Sequence, residues 1–100
     1  MMEQWLYAMF IERGKTYNKI TKAVVERHVA RLKQLDESGH VELCGVFKGY
    51  PGVAGMVLLK AASYEEADAL CQQEPLVMEG YATYKLRALQ MANKDNNYLL

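Results

Sequence analysis

One hundred residues, about half of them apolar (51%) and a quarter charged (24%), suit a single domain that buries a core without metals or disulfides. Twelve basic and twelve acidic residues cancel, and the basic ones are scattered, so no global field draws in nucleic acid or an anionic membrane. The expected partners therefore include neither.

The chain begins its pattern with "WLYAMFIE", Trp5 to Glu12, short and rich in aromatic and β-favouring residues, which predicts a strand. Its apolar run is too short to span a bilayer. Glu3 ahead of it and no small-residue cleavage site behind it argue against a leader, so a cytoplasmic protein is expected. After the loop "RGKTYN", a helix is predicted from about Thr21 to a stop at Gly39, the usual left-handed C-terminal glycine. "HVELCGVF" alternates Val41, Leu43, Gly45 and Phe47 on one side, a second strand. "KGYPGVAG" reads as a turn and "MVLLKA" as a third strand, apolar almost throughout and hence central.

"SYEEADALCQQ" predicts a second helix with a Ser63–Glu66 capping box and an inward row of Ala67, Leu70 and Cys71. Pro75 ends or bends it. "YATYKLRAL" is the last strand, with Ala82, Tyr84, Leu86 and Ala88 on one side. The expected organisation is one domain over residues 1–92 and a polar C-terminal tail over 93–100. Strand, helix, strand, strand, helix, strand predicts an α+β, ferredoxin-like βαββαβ unit, a four-stranded antiparallel sheet with both helices on one face. The first strand is apolar on both sides, with Trp5, Tyr7, Met9 and Ile11 on one and Leu6, Ala8 and Phe10 on the other. Helices cover only one of these rows, so a homodimer is expected, sheet against sheet.

Two polar residues interrupt the apolar faces. Ile20, Val24, His28, Leu32 and Leu35 share one face of the first helix, which places His28 where an apolar residue belongs. Steps of seven and four from Ala67 and Leu70 reach Glu74, on the inward edge of the second helix if that helix runs so far. Side-by-side helices would bring the two together across 46 positions. A carboxylate within reach of an imidazole fixes its tautomer and favours the protonated form, an arrangement suited to moving a proton without any metal. The alternative is a core histidine satisfied by a backbone carbonyl, with Glu74 capping or solvated.

Together, "RHVARLKQLDESGHVELCGVF", with His28, Leu32, Leu35, Gly39 and Gly45, and "GMVLLKAASYEEADALCQQEPLVMEGYATYKL", with Gly55, the Ser63-led helix, Pro75 and Gly80, resemble the YciI-like (YCII-related) proteins over most of residues 5–90. The resemblance implies a dimeric α/β-barrel of ferredoxin-like subunits and a His–Asp pair. One branch is associated with dehydrochlorination of chlorinated hydroxyquinols, and muconolactone isomerases are distant structural relatives. His28 matches the family histidine. This chain has Glu74–Pro75 where the family has Asp-Pro, which keeps the charge and adds a methylene, and Val46 where many members carry proline at a strand edge. Haem-degrading relatives carry their ligating histidine on the second helix, which here has none, so no cofactor is expected.

Among the remaining residues, Tyr7 and Tyr50 are the candidate substrate contacts from a set of seven tyrosines, Tyr50 as a lid residue before Pro51. Cys44 and Cys71 lack metal-ligand spacing and read as two buried, reduced thiols, with no metal site expected. Lys85 and Arg87 read as a solvated or interface rim, and His40 as an exposed strand-end residue. "KGYPG" lacks the Lys-Ser/Thr ending of a phosphate loop. The leading expectation is a small cofactor-independent enzyme of lyase or isomerase type acting on a small organic molecule. In it His28 is the acid/base and Glu74 its orienting carboxylate; the alternative is a non-catalytic dimeric module that binds a small ligand or a protein.

Overall fold

The structure, a computed structural model, describes residues 5–100, so Glu3, used in the leader reading, lies outside the described residues. Strands β1 (Trp5–Arg13), β2 (Val41–Val46), β3 (Val53–Leu59) and β4 (Ala82–Gln90) form one sheet in the order β2-β3-β1-β4, every pair antiparallel. Helices α1 (Lys22–Glu37) and α2 (Tyr64–Gln72) make the two crossovers, with a single-turn helix α3 (Pro75–Met78) after α2. This is the ferredoxin-like arrangement. A short 3-10 turn occupies Tyr17–Lys19, and Lys94–Leu99 holds two short turns across a kink, with left-handed backbone at Asn97 and Tyr98. The tail is thus shaped as well, with Asn93 accepting from the Asp95 amide at the start of that segment.

The apolar pattern of β1 accounts for its central place. Tyr7, Met9 and Ile11 join Val57 and Leu59 of β3 and Leu86 of β4 beneath Val24, Leu35, Ala67, Cys71 and Leu76, the main core. Leu6, Ala8 and Leu58 gather on the opposite face with Phe10, Met56 and Met91 around them. Direct cross-strand partners share a face, so Leu89, Arg87 and Lys85, opposite Leu6, Ala8 and Phe10, complete that second face along β4. No helix among the described residues is long and apolar enough to cross a membrane.

Four local expectations change. The third strand begins at Val53 rather than Met56 and ends at Leu59, because Val53, Ala54 and Gly55 belong to the ladder and not to the turn. Gly55 is a close-approach residue: a Cβ there would stand 2.5 Å from the Gly45 carbonyl oxygen across the β2–β3 pair. In β2 the single row Val41, Leu43, Gly45, Phe47 does not hold. A bulge between Val41 and Leu43 pairs Val41 with Leu59 but Leu43 with Leu58, so the two face opposite sides of the sheet. Finally, Cys44 is exposed, not buried, because β2 is an edge strand at the limit of the helix layer; Cys71 is buried as expected. At the start of α2, Ser63 accepts from the Glu66 amide (3.1 Å), but the Glu66 carboxylate lies 3.9 Å from His40 Nδ1 instead of returning to Ser63.

Candidate active site

α1 starts where Thr21 accepts a hydrogen bond from the Val24 amide and stops where the His40 amide bonds the Leu35 carbonyl beyond Gly39. Between these ends, Val24 and Leu35 are buried on the sheet side. His28 lies between them on the same face, with its side chain 21% exposed. The helical repeat alone brings an imidazole to the lip of the core.

Glu74 arrives by a different route from the expected one. α2 ends at Gln72, and the Gln73 and Glu74 amides fold back onto the Leu70 and Cys71 carbonyls. Glu74 is therefore not the last inward residue of α2. It is the N-cap of α3, in extended backbone (φ −71°, ψ 125°), with Pro75 at the first helical position, where its missing N–H costs nothing. Glu74 Oε2 accepts from the Leu76 amide at 2.5 Å, and Glu74 Oε1 is hydrogen-bonded to His28 Nδ1. Leu76 anchors the turn in the core. Gly80, at φ 81°, closes it: the Tyr81 amide bonds the Leu76 carbonyl and the Gly80 amide the Val77 carbonyl, a Schellman stop only glycine adopts without strain.

Only 2% of Glu74 is exposed, so its charge needs partners, and each oxygen has one. With the carboxylate as acceptor, Nδ1 donates in that hydrogen bond and Nε2 is the ring nitrogen outside it. The extra methylene relative to aspartate does not prevent contact.

His28 lines a partly open cavity of about 120 Å³ whose walls include Ile11, Tyr17, Leu32, Cys44, Val46 and Leu76. Among the described residues no lysine or arginine lines it, and His28 is the one basic side chain in its wall. Val46, 78% exposed, stands at the rim, so this position touches the cavity and not merely a strand edge. Tyr7 and Tyr50 line other hollows. Tyr7 is a core residue, packed edge-on against Tyr64 with ring centroids 6.3 Å apart. Tyr50 is half exposed, packs on Phe47 and borders a hollow with Phe10, Lys85 and Arg87 on the opposite sheet face. The tyrosine in the His28 cavity is Tyr17, whose ring sits under the Arg13 guanidinium at 5.4 Å. Sequence reasoning passed over it as a loop residue, although the loop feeding the His28 helix was a signal for it. The other missed signal was Glu-Pro itself, which marks a helix start.

Around the pair, Arg27 donates to Glu79 twice, Nη2 to Oε1 at 2.6 Å and Nε to Oε2 at 3.1 Å. The hydrogen bond first, and the attraction second, raise the guanidinium above its ordinary value. His40 keeps to the sheet edge, its Nδ1 bonded to the Lys60 carbonyl at 2.9 Å. Lys85 pairs with Glu12 at 3.1 Å. Among the described residues no three His, Cys, Asp or Glu side chains converge as a metal set.

The YCII-related domain matches residues 5–90, nearly the whole sheet-and-helix unit. The chain belongs to that family. Its fold is similar to that of 5-chloro-2-hydroxyhydroquinone dehydrochlorinase (TftG) from Burkholderia phenoliruptrix AC1100, solved in complex with 2,5-dihydroxybenzoquinone. The TM-score is 0.72 at 14% identity, covering 92% of this chain and 99% of that one. No curated protein matches the chain. The YCII-related fold thus carries the pair on α1 and on the cap of α3, beside one small apolar cavity.

Proposed function

We propose that this YCII-related protein is a small cofactor-independent acid/base enzyme of lyase or isomerase type. His28 Nε2 takes a proton from an O–H or acidic C–H of the substrate, and the electron pair expels an anionic group or shifts a double bond. The imidazolium gives the proton to the departing anion or solvent in the first case and to the far carbon of the shifted double bond in the second. Glu74 holds the ring in the tautomer that leaves Nε2 free and stabilises the charge that develops on it. The observation that supports this most is the hydrogen bond from Nδ1 to a buried carboxylate whose second oxygen is already committed, on a histidine that lines a cavity.

The cavity suggests the substrate. Its walls are mostly apolar and without lysine or arginine, which disfavours anions. An apolar cavity of about 150 Å³ accommodates benzene, so a compact uncharged ring is the fitting class, and the name of the similar dehydrochlorinase points the same way. The test is incubation in D2O with 5-chloro-2-hydroxyhydroquinone and its chlorine-free parent, following chloride release and loss of ring proton signals. Either activity in the native protein, lost in His28→Gln, is the expected result. Activity retained in His28→Gln and Glu74→Gln would remove both residues from the chemistry.

We also propose that a second copy covers the open sheet face, whose centre is Leu6, Ala8, Phe10, Met56 and Leu58. Light scattering at micromolar concentration should give twice the chain mass; a monomer refutes it.

A further inference from the structure

We propose that the Arg27–Glu79 pair is a positioning clamp for the His28–Glu74 hydrogen bond, an inference that rests on the acid/base reading above. Arg27 is the residue before His28 on α1, and Glu79 is the C-cap of α3, whose N-cap is Glu74. One helical turn is therefore tied to α1 at both ends, by Glu74 to His28 and by Glu79 to Arg27. A single turn has almost no stability of its own, because nucleation fixes several residues for one hydrogen bond. Its orientation comes from what holds it: backbone bonds to the end of α2 and at the Gly80 stop, Leu76 below, and these two side-chain ties to α1.

The identity of Glu79 supports the clamp. A carboxylate at the C-terminal end of a helix faces the negative pole of the dipole, and α3 has no basic residue in its last turn. The compensating cation comes from another helix, in a side-on fork that fixes direction as well as distance. Glutamate at 74 has one more rotatable bond than aspartate and so depends more on a fixed backbone to deliver Oε1 to Nδ1. Both members are partly solvated, side chains 52% and 37% exposed, and exposed pairs add little to global stability. The effect of the clamp is local, at the histidine.

The experiment is imidazole ¹⁵N–¹H NMR on the full chain, reading the His28 tautomer and its low-field Nδ1 proton. Glu74→Gln is the reference for loss of the pair. Arg27→Met, which keeps the aliphatic stem, should broaden or erase the Nδ1 proton signal at least fivefold in intensity and mix the tautomers, with a melting temperature within a few degrees of wild type. The exchanged pair, Arg27→Glu with Glu79→Arg, should restore both. His28 signals unchanged in Arg27→Met, or unrestored in a folded exchange variant, overturn the clamp. Where Arg27→Met does not fold, Glu79→Gln carries the same reading with the same outcomes. If Glu74→Gln itself leaves His28 unmoved, the pair is absent and both proposals fall; if Glu74→Gln moves it and Arg27→Met does not, only the clamp falls.

Discussion

The two faces of the sheet are both apolar at their centres, yet only one carries a buried pair of ionisable side chains. Under the helices, the apolar layer is interrupted by an imidazole and a carboxylate that satisfy each other beside a cavity. On the open side, Leu6, Ala8 and Leu58 sit among Phe10, Met56 and Met91, and Lys85 of β4 pairs with Glu12 of β1. The difference follows from what can be supplied. A helix brings side chains at any depth over a sheet, and its N-terminus brings backbone donors without an intrahelical acceptor, such as the Leu76 amide that Glu74 accepts from. A bare sheet face offers only alternating side chains, which suit another surface better than a small molecule.

The largest effect that sharpens this contrast is on turnover. His28→Gln keeps a donor for Glu74 and removes the proton-transferring nitrogen, so rates should fall about 10²- to 10⁴-fold. Glu74→Gln retains the acceptor for the Leu76 amide and should lose less. Lys85→Ala, on the opposite face, should leave the rate within twofold. An equal loss from Lys85→Ala, read in the same assay, would break the division of labour between the faces.

Adjacent residues of β3 test the same contrast in stability. Leu59 is 1% exposed beneath the helices, and Leu58 is 8% exposed on the open face. Leu59→Ala leaves a cavity in a close-packed layer and should cost toward the upper end of about 2–5 kcal/mol in urea unfolding. Leu58→Ala should cost toward the lower end in dilute solution, and its cost should grow with protein concentration if a second copy covers that face. Equal, concentration-independent costs would mean that the two layers are energetically alike.

How much of this was legible in the sequence differs between the elements. Periodicity placed His28 because sixteen residues of α1 repeat the same face several times and error averages out. It reached Glu74 by extending α2 too far; the residue is buried because Pro75 starts a new turn. Single-residue events defeated the rest. The bulge in β2 turned Leu43 to the open face, and no composition marks it. The His28 cavity lies where β1, β2, β3, α1, α3 and the turn before α1 meet, so Tyr17 and Val46 entered it through tertiary geometry that no local pattern encodes. Tyr7 was a candidate by residue type and Tyr50 by its place in the turn before Pro51, and the fold puts both beside hollows other than that of His28.

The smallest expected effect concerns unevenness within the helix-covered face. Cys71 is buried under α2, and that burial first, with the charge of Asp68 second, pushes its thiol up from an ordinary 9.0 to about 12. The unfolded chain ionises this thiol near pH 9 while the folded chain holds the proton, so its stabilising contribution is complete below that pH and is lost as pH rises toward 12. Tyr84, its hydroxyl 2.5 Å from Asp68 Oδ1, is pushed from 10.0 to about 12 by burial and then by that hydrogen bond, and adds to the same decline from a pH unit higher. Unfolding measured from pH 8 to 11 should therefore show falling stability, with Cys71→Ala flattening the first part of the fall and Tyr84→Phe the later part. A thiol reagent should modify exposed Cys44 in the folded protein and reach Cys71 only as fast as the chain opens. Equal rates for the two would mean that α2 lifts readily from the sheet, and the layer holding His28 and Glu74 would then be too loose to keep them aligned.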